Sequence, residues 1–149
     1  MQPKFFEELE VGAVRETVGR TITETDVVVH AGHTGDFYPH HMDAVFARNT
    51  PFGQRIAHGT MTFAIAIGMK ASIVNEKSFT YGFDRLRFPK PVFIGDTLRV
   101  RVTLADKQPD LKRPHLGRCV EKVEAFNQRG EVVLACDHIA LVERRSETQ

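Results

Sequence analysis

The stretch "GTMTFAIAIGMKASIVN", residues 59–75, constrains the fold more than any other part of this 149-residue chain. It is apolar on nearly every side of a helical wheel and contains no Asp or Glu. A surface helix would show one polar face, so this pattern predicts a buried helix. Its 17 residues would span roughly 25 Å at 1.5 Å each. Small residues (Ala64, Ala66, Gly68, Ala71, Ser72) would let strands approach it closely.

The second half of the chain offers a cover for such a helix. "FTYGFDRLRF", "TLRVRVTLADK", "LGRCVEKVEAFN" and "EVVLACDHIALVE" alternate apolar and polar residues. Turn signals bound them: "PKP", "GD", "KQPDLKRP" and "NQRG". Four long strands in series predict an antiparallel meander. An apolar helix followed by that sheet predicts an α+β fold in which the sheet wraps the helix. Domains cluster at about 100–150 residues, so residues 1–149 are expected to form one domain.

Upstream, residues 1–12 read as a short lead-in and "AVRETVGRTIT" as a strand. "TETD" resembles a capping box, with Asp26 in the place of the more usual Glu. It predicts a helix of about two turns ended by Gly32. Then comes "HTGDFYPHHMD", with three histidines and two aspartates in 11 residues. Pro39 keeps Tyr38 out of the α-region and suits the first turn of a new helix. In that helix Met42, Val45 and Phe46 would form one apolar stripe. "TPFGQRIAHG" reads as a loop.

Composition narrows the function classes. A net charge of +1 gives no global case for nucleic acid. No apolar run approaches the roughly 18 residues of a membrane span. The start of the chain lacks a signal-peptide core, and the expectation is a soluble, cytoplasmic protein. Cys119 and Cys136 sit among apolar neighbours and are expected to be core thiols. The charge is uneven: residues 85–118 hold nine Lys/Arg and three Asp (+6), leaving 11 basic and 16 acidic residues (−5) elsewhere. Such a basic face suits a small ligand that bears phosphate, or is simply solvated. A metal site built from His33, His40, His41 and Asp43 is the rival reading of the histidine cluster. No H-x-x-x-H or cysteine spacing supports it, so no metal is expected.

The motifs, taken in order, resemble the MaoC-like dehydratases, the (R)-specific enoyl-CoA hydratases of hot-dog fold. That family's Gly-Asp-x-Asn-Pro-x-His pattern falls on Gly35, Asp36, Pro39 and His41. The later His-Gly falls on His58 and Gly59. "RFPKPVFIGDTLRV" is similar to its Pro-Val…Gly-Asp strand pair, and "FFEELEVG" to its start. Tyr38 replaces the usual Asn, and the position before the histidine is His40.

The resemblance implies reversible syn hydration of a trans-2-enoyl-CoA to an (R)-3-hydroxyacyl-CoA. Such chemistry needs a water activated at C3, a proton at C2 and a stabilised enolate oxygen. A histidine, with a free pKa of about 6.5, suits a general base. An aspartate needs desolvation before it holds a proton. The catalytic expectation is therefore His41 deprotonating a water that Asp36 also fixes, with Asp36 passing the proton to C2. Gly59 would open the buried helix and offer its backbone N–H to the thioester oxygen. Tyr38, His40, His58, Arg85 and Arg87 are the substrate-binding candidates, with His30 and His33 structural. The resemblance implies no cofactor beyond the coenzyme A of the substrate, and a homodimer whose sheets join, or a higher oligomer built from such dimers. A hot-dog thioesterase would place a carboxylate on the central helix, and residues 59–75 have none. A non-catalytic acyl-CoA-binding module would not need the Asp36–His41 pair.

Overall fold

The computed structural model describes residues 4–145; the first three residues of the lead-in lie outside the described residues. Six strands form one antiparallel sheet: β1 (Val14–Glu16), β2 (Arg20–Thr21), β3 (Ser78–Arg87), β4 (Thr97–Pro109), β5 (Leu116–Phe126) and β6 (Val132–Glu143). The order is β1-β4-β5-β6-β3, with β2 also pairing with β4. Four helices accompany it: α1 (Glu24–Thr34), α2 (Pro39–Met42), α3 (Ala44–Arg48) and α4 (Gly59–Lys70). This is the α+β hot-dog arrangement expected, with α4 lying against the sheet.

Alternation on the strands decides which side faces α4. Leu98, Val100 and Val102 of β4 and Val123 and Ala125 of β5 turn inward. They meet Met61, Ile65 and Ala66 of α4 in one core. Two features differ from expectation along this helix. It is 12 residues long and ends in a 3-10 turn at Ala71–Ile73. It is also not buried on all sides, since Thr60, Ala64 and Gly68 line an exposed stripe. An apolar sequence pattern reports the lack of polar groups, and these residues are small enough to face outward at little cost.

The meander holds for β4, β5 and β6 only. β3 pairs with β6, at the opposite edge from β1. Residues 88–96 are a crossover rather than a hairpin. Pro89 and Pro91 have no N–H to donate to a ladder, and the segment instead bonds elsewhere. Ala57 N–H donates to Val92 O at 2.7 Å and Gly95 N–H to Ile22 O at 2.8 Å. The crossover thereby passes the start of α4.

The first strand region is also shorter than read, splitting into β1 and β2. The stripe on "PHHMDAVFARN" is corrected as well: the helix breaks at Asp43, whose side chain accepts from Val45 and Phe46 N–H at 2.9 Å and starts α3. Val45 and Phe46 are left exposed. Both cysteines are buried, as expected.

Candidate functional site

Three local devices set the site. The first is the end of α1. The Thr23–Asp26 capping box forms, with Thr23 N–H donating to the Asp26 carboxylate at 2.8 Å. The helix runs through Gly32 and stops three residues later at Gly35, whose φ of 80° places it in the left-handed region. A residue with Cβ would be strained there, and glycine is not. The turn throws the chain off the helix and presents Asp36. Asp36 Oδ1 then accepts Tyr38 N–H at 3.2 Å, a turn that carries the chain into Pro39.

The second device is α2, one turn with Pro39 at its start. It holds His41 inward, where it is buried. His41 Nδ1 lies 2.8 Å from Ile56 O. A carbonyl only accepts, so Nδ1 carries the proton and Nε2 of the neutral ring keeps its lone pair. Burial pulls the His41 pKa below the ordinary 6.5; the Ile56 hydrogen bond opposes this, and neighbouring His58 and His40 add to it. The neutral, proton-accepting ring is the form this place favours.

The third is the start of α4. His58 precedes the helix and its side chain makes no capping bond to it. Its Nε2 donates instead to Asp36 main-chain O at 2.8 Å. Its ring stacks on His41, with centroids 3.8 Å apart and planes 25° apart. Gly59, the first helical residue, has no internal partner for its N–H. A Cβ at Gly59 would come within 2.9 Å of the Phe88 ring, which closes over this position.

One ligand-type atom each from Asp36, His41 and His58 lies within 4.8 Å of the others. These residues, with Gly59, His40, Phe52 and the crossover from Phe88 to Val92, line a cavity of about 540 Å³. Asp36 itself is exposed, so its desolvation needs a second body over the site. The set His33, His40, His41 and Asp43 is not assembled among the described residues; Asp43 caps α3 instead. For the trio that is assembled, His41 Nδ1 and His58 Nε2 are already committed to main-chain carbonyls, which leaves one ring nitrogen on each and the Asp36 carboxylate facing one another.

The other candidates divide. His40 lines the cavity, its ring edge-on to His41 at 4.3 Å. Tyr38 is 56% exposed and off the cavity wall, touching it only through the His40 ring at 4.5 Å. Arg85 and Arg87 do not line it either. Arg85 pairs with Asp137, and Arg87 donates to Arg85 O at 3.1 Å. His30 packs on His58 at 4.8 Å and bonds Thr60 Oγ1 at 3.0 Å.

Read from sequence, a second polar cluster goes unnoticed. Lys70, at the far end of α4, is 2% exposed. Its Nζ lies 2.5 Å from Glu121 Oε2 and stands against His138 Nδ1. His138 Nδ1 is 2.9 Å from Glu121, and Arg15 pairs with the same carboxylate. The alternation Cys119, Glu121, Val123 already put Glu121 on the inward face of β5, which is the signal that could have found it. At about 1.5 Å per residue, Lys70 lies some 16 Å along α4 from Gly59, outside the cavity described above.

Residues 7–124 match the family described as MaoC like domain. The chain belongs to the MaoC-like family. It is 36% identical over 143 residues to the 3-hydroxybutyryl-CoA dehydratase of Methylorubrum extorquens, covering 96% of this chain and 87% of that protein. It is 39% identical over 105 residues to Protein MaoC of Klebsiella aerogenes, which is 70% of this chain but 31% of that longer protein. A solved structure of a MaoC-like dehydratase from Rhodospirillum rubrum superposes with a TM-score of 0.87 at 29% identity, covering 96% of this chain and 99% of that one.

Proposed function

We propose that this MaoC-like chain is a hydro-lyase of acyl-CoA thioesters, adding water to a trans-2-enoyl-CoA to give an (R)-3-hydroxyacyl-CoA, or reversing that step. One observation carries the reading: the Asp36 carboxylate, a His41 ring committed through Nδ1 to Ile56, and the free N–H of Gly59 all border one cavity. The family's named dehydratase relatives support it. A thioesterase reading needs a carboxylate on α4, and Gly59–Lys70 has none.

In the proposed step, His41 Nε2 takes a proton from the water while its oxygen bonds to C3. The C2–C3 π pair moves toward the thioester oxygen, which the Gly59 N–H stabilises. The proton then passes from His41 to the Asp36 carboxylate, which also holds the water, and from Asp36 to C2, so both groups end as they began. Both groups lie on one side of the cavity, which accounts for syn addition. No cofactor takes part.

Arg87, whose guanidinium faces solvent at the end of β3, and Arg85 beside it are the proposed contacts for the phosphates of coenzyme A. Phe79, Tyr81 and Leu86 are exposed along the free edge of β3, and Phe88 just beyond its end. Unpaired edges with apolar side chains favour pairing with another strand. Two copies joined along β3 would bring the second subunit to Phe88, and so to the rim of the cavity.

The test is turnover of a crotonyl-type CoA thioester by Asp36→Asn and His41→Ala. Loss of roughly 10²–10⁴-fold is expected, the usual weight of a positioned acid or base, with an unchanged circular dichroism spectrum. Wild-type rates in both variants would remove the assignment.

A further inference from the structure

His58 belongs to the cavity but has no part in the proton transfers above. It is 1% exposed, its Nδ1 has no hydrogen-bond partner, and its Nε2 is committed to a main-chain carbonyl. That carbonyl belongs to Asp36, and the face of the ring is occupied by His41. One side chain therefore touches the backbone of the first reacting residue and the ring of the second. We propose that His58 is a positioning residue that holds Asp36 and His41 in one mutual geometry, through the hydrogen bond to Asp36 O and the ring stack on His41.

The placement has two consequences. The loop that carries Asp36 follows a left-handed glycine and is otherwise tied down by short turns, so the His58 bond is its anchor to α4. The stack fixes the plane of His41 and puts a second titratable ring 3.8 Å away, where two imidazolium charges would repel. The other groups around His41 are His40 on its own helix, the Asp36 carboxylate and Arg55, which donates to His41 O at 2.5 Å. Lys90 lines the same cavity from the crossover, and His30 backs His58 from α1. Of these, His58 is in stacking contact with the ring.

This inference rests on the acid/base reading of Asp36 and His41, so its test includes a readout that needs no turnover. The imidazole of His41 is titrated by NMR in the full-length protein, in wild type, His58→Ala and His58→Gln, beside kcat and KM for a crotonyl-type CoA thioester. The glutamine keeps an N–H donor for Asp36 O and removes the ring. In the alanine variant kcat should fall by about 10–100-fold, the scale of a misplaced catalytic group, with KM little changed. The glutamine should recover most of kcat. In both variants the His41 midpoint should rise, because the neighbouring imidazole that disfavours a charge on His41 is gone, and the acid limb of kcat should move up with it. An unmoved His41 midpoint in His58→Gln overturns the proposal, whatever the turnover, and decides the matter alone if His58→Ala does not fold. A moved midpoint with a wild type that hydrates no thioester upholds the positioning role and overturns only the hydratase reading.

Discussion

Replacing Glu121 by Gln removes one negative charge from the far end of α4 and leaves Lys70 almost fully enclosed. Lys70 is 2% exposed, and the Glu121 side chain keeps only 13% of its surface in water. Burial by itself would raise the Glu121 carboxyl, but hydrogen bonds from His138 and Lys70 and the charges of Lys70 and Arg15 overcome it and hold it at about 2, against an ordinary 4.5. Some 2.5 pH units at about 1.4 kcal/mol each make the ionised Glu121 side of the cluster worth on the order of 3–4 kcal/mol; burial lowers the Lys70 pKa and offsets part of it. Breaking a buried pair by removing one partner costs about 3–5 kcal/mol, which agrees. For a chain of this size each kcal/mol moves Tm by about 2–4 °C, so Glu121→Gln should lower Tm by about 6–20 °C at pH 7.

The pH dependence has a definite sign. A carboxyl depressed in the folded state stabilises fully above its unfolded value and loses that contribution as pH falls. Wild type should therefore lose about 3 kcal/mol between pH 4.5 and about 2 from this group, and Glu121→Gln should show a flatter limb there. Lys70→Met in the glutamine background should recover most of the loss, because the unpaired buried charge is what costs free energy. Thermal and urea melts followed by circular dichroism measure all three. A Tm within about 2 °C of wild type for Glu121→Gln, or a double variant no better than the single, would refute the reasoning.

Three further outcomes are expected. Gly59→Ala should fold, because the exposed Phe88 ring can swing away from a Cβ that would lie 2.9 Å from it. Its turnover should nevertheless drop by roughly 10²-fold as the added methyl and displaced ring crowd the helix N-terminus, and an unchanged kcat would remove Gly59 from the site. Arg87→Glu should raise KM for a CoA thioester without changing kcat; an unchanged KM would free Arg87 of any role with the phosphates. Tyr81→Glu places a charge on the β3 edge and should reduce the mass seen by light scattering to that of the 16.8 kDa chain. A dimer that persists would move the interface elsewhere.

The sequence by itself determined the fold class and most of its long elements. The acid-free apolar run specified α4, the alternating segments specified the long strands, and the resemblance of Gly35, Asp36, Pro39 and His41 to the MaoC-like pattern singled out Asp36 and His41. These are local signals, written in side-chain period, turn residues and caps. Tertiary structure decided what locality cannot hold. β3 goes to the far edge of the sheet because strand pairing is set across the whole fold and a proline-bearing crossover makes no hairpin. In the sequence His58 stands as a substrate-binding candidate beside Gly59. It becomes the link between Asp36 and His41 only when residues 22 positions apart meet at 2.8 Å. Lys70 drew no notice in the sequence, yet the sheet encloses it with Glu121 and His138 from two different strands. Burial and charge pairing depend on which elements come together, and no window of sequence contains both partners.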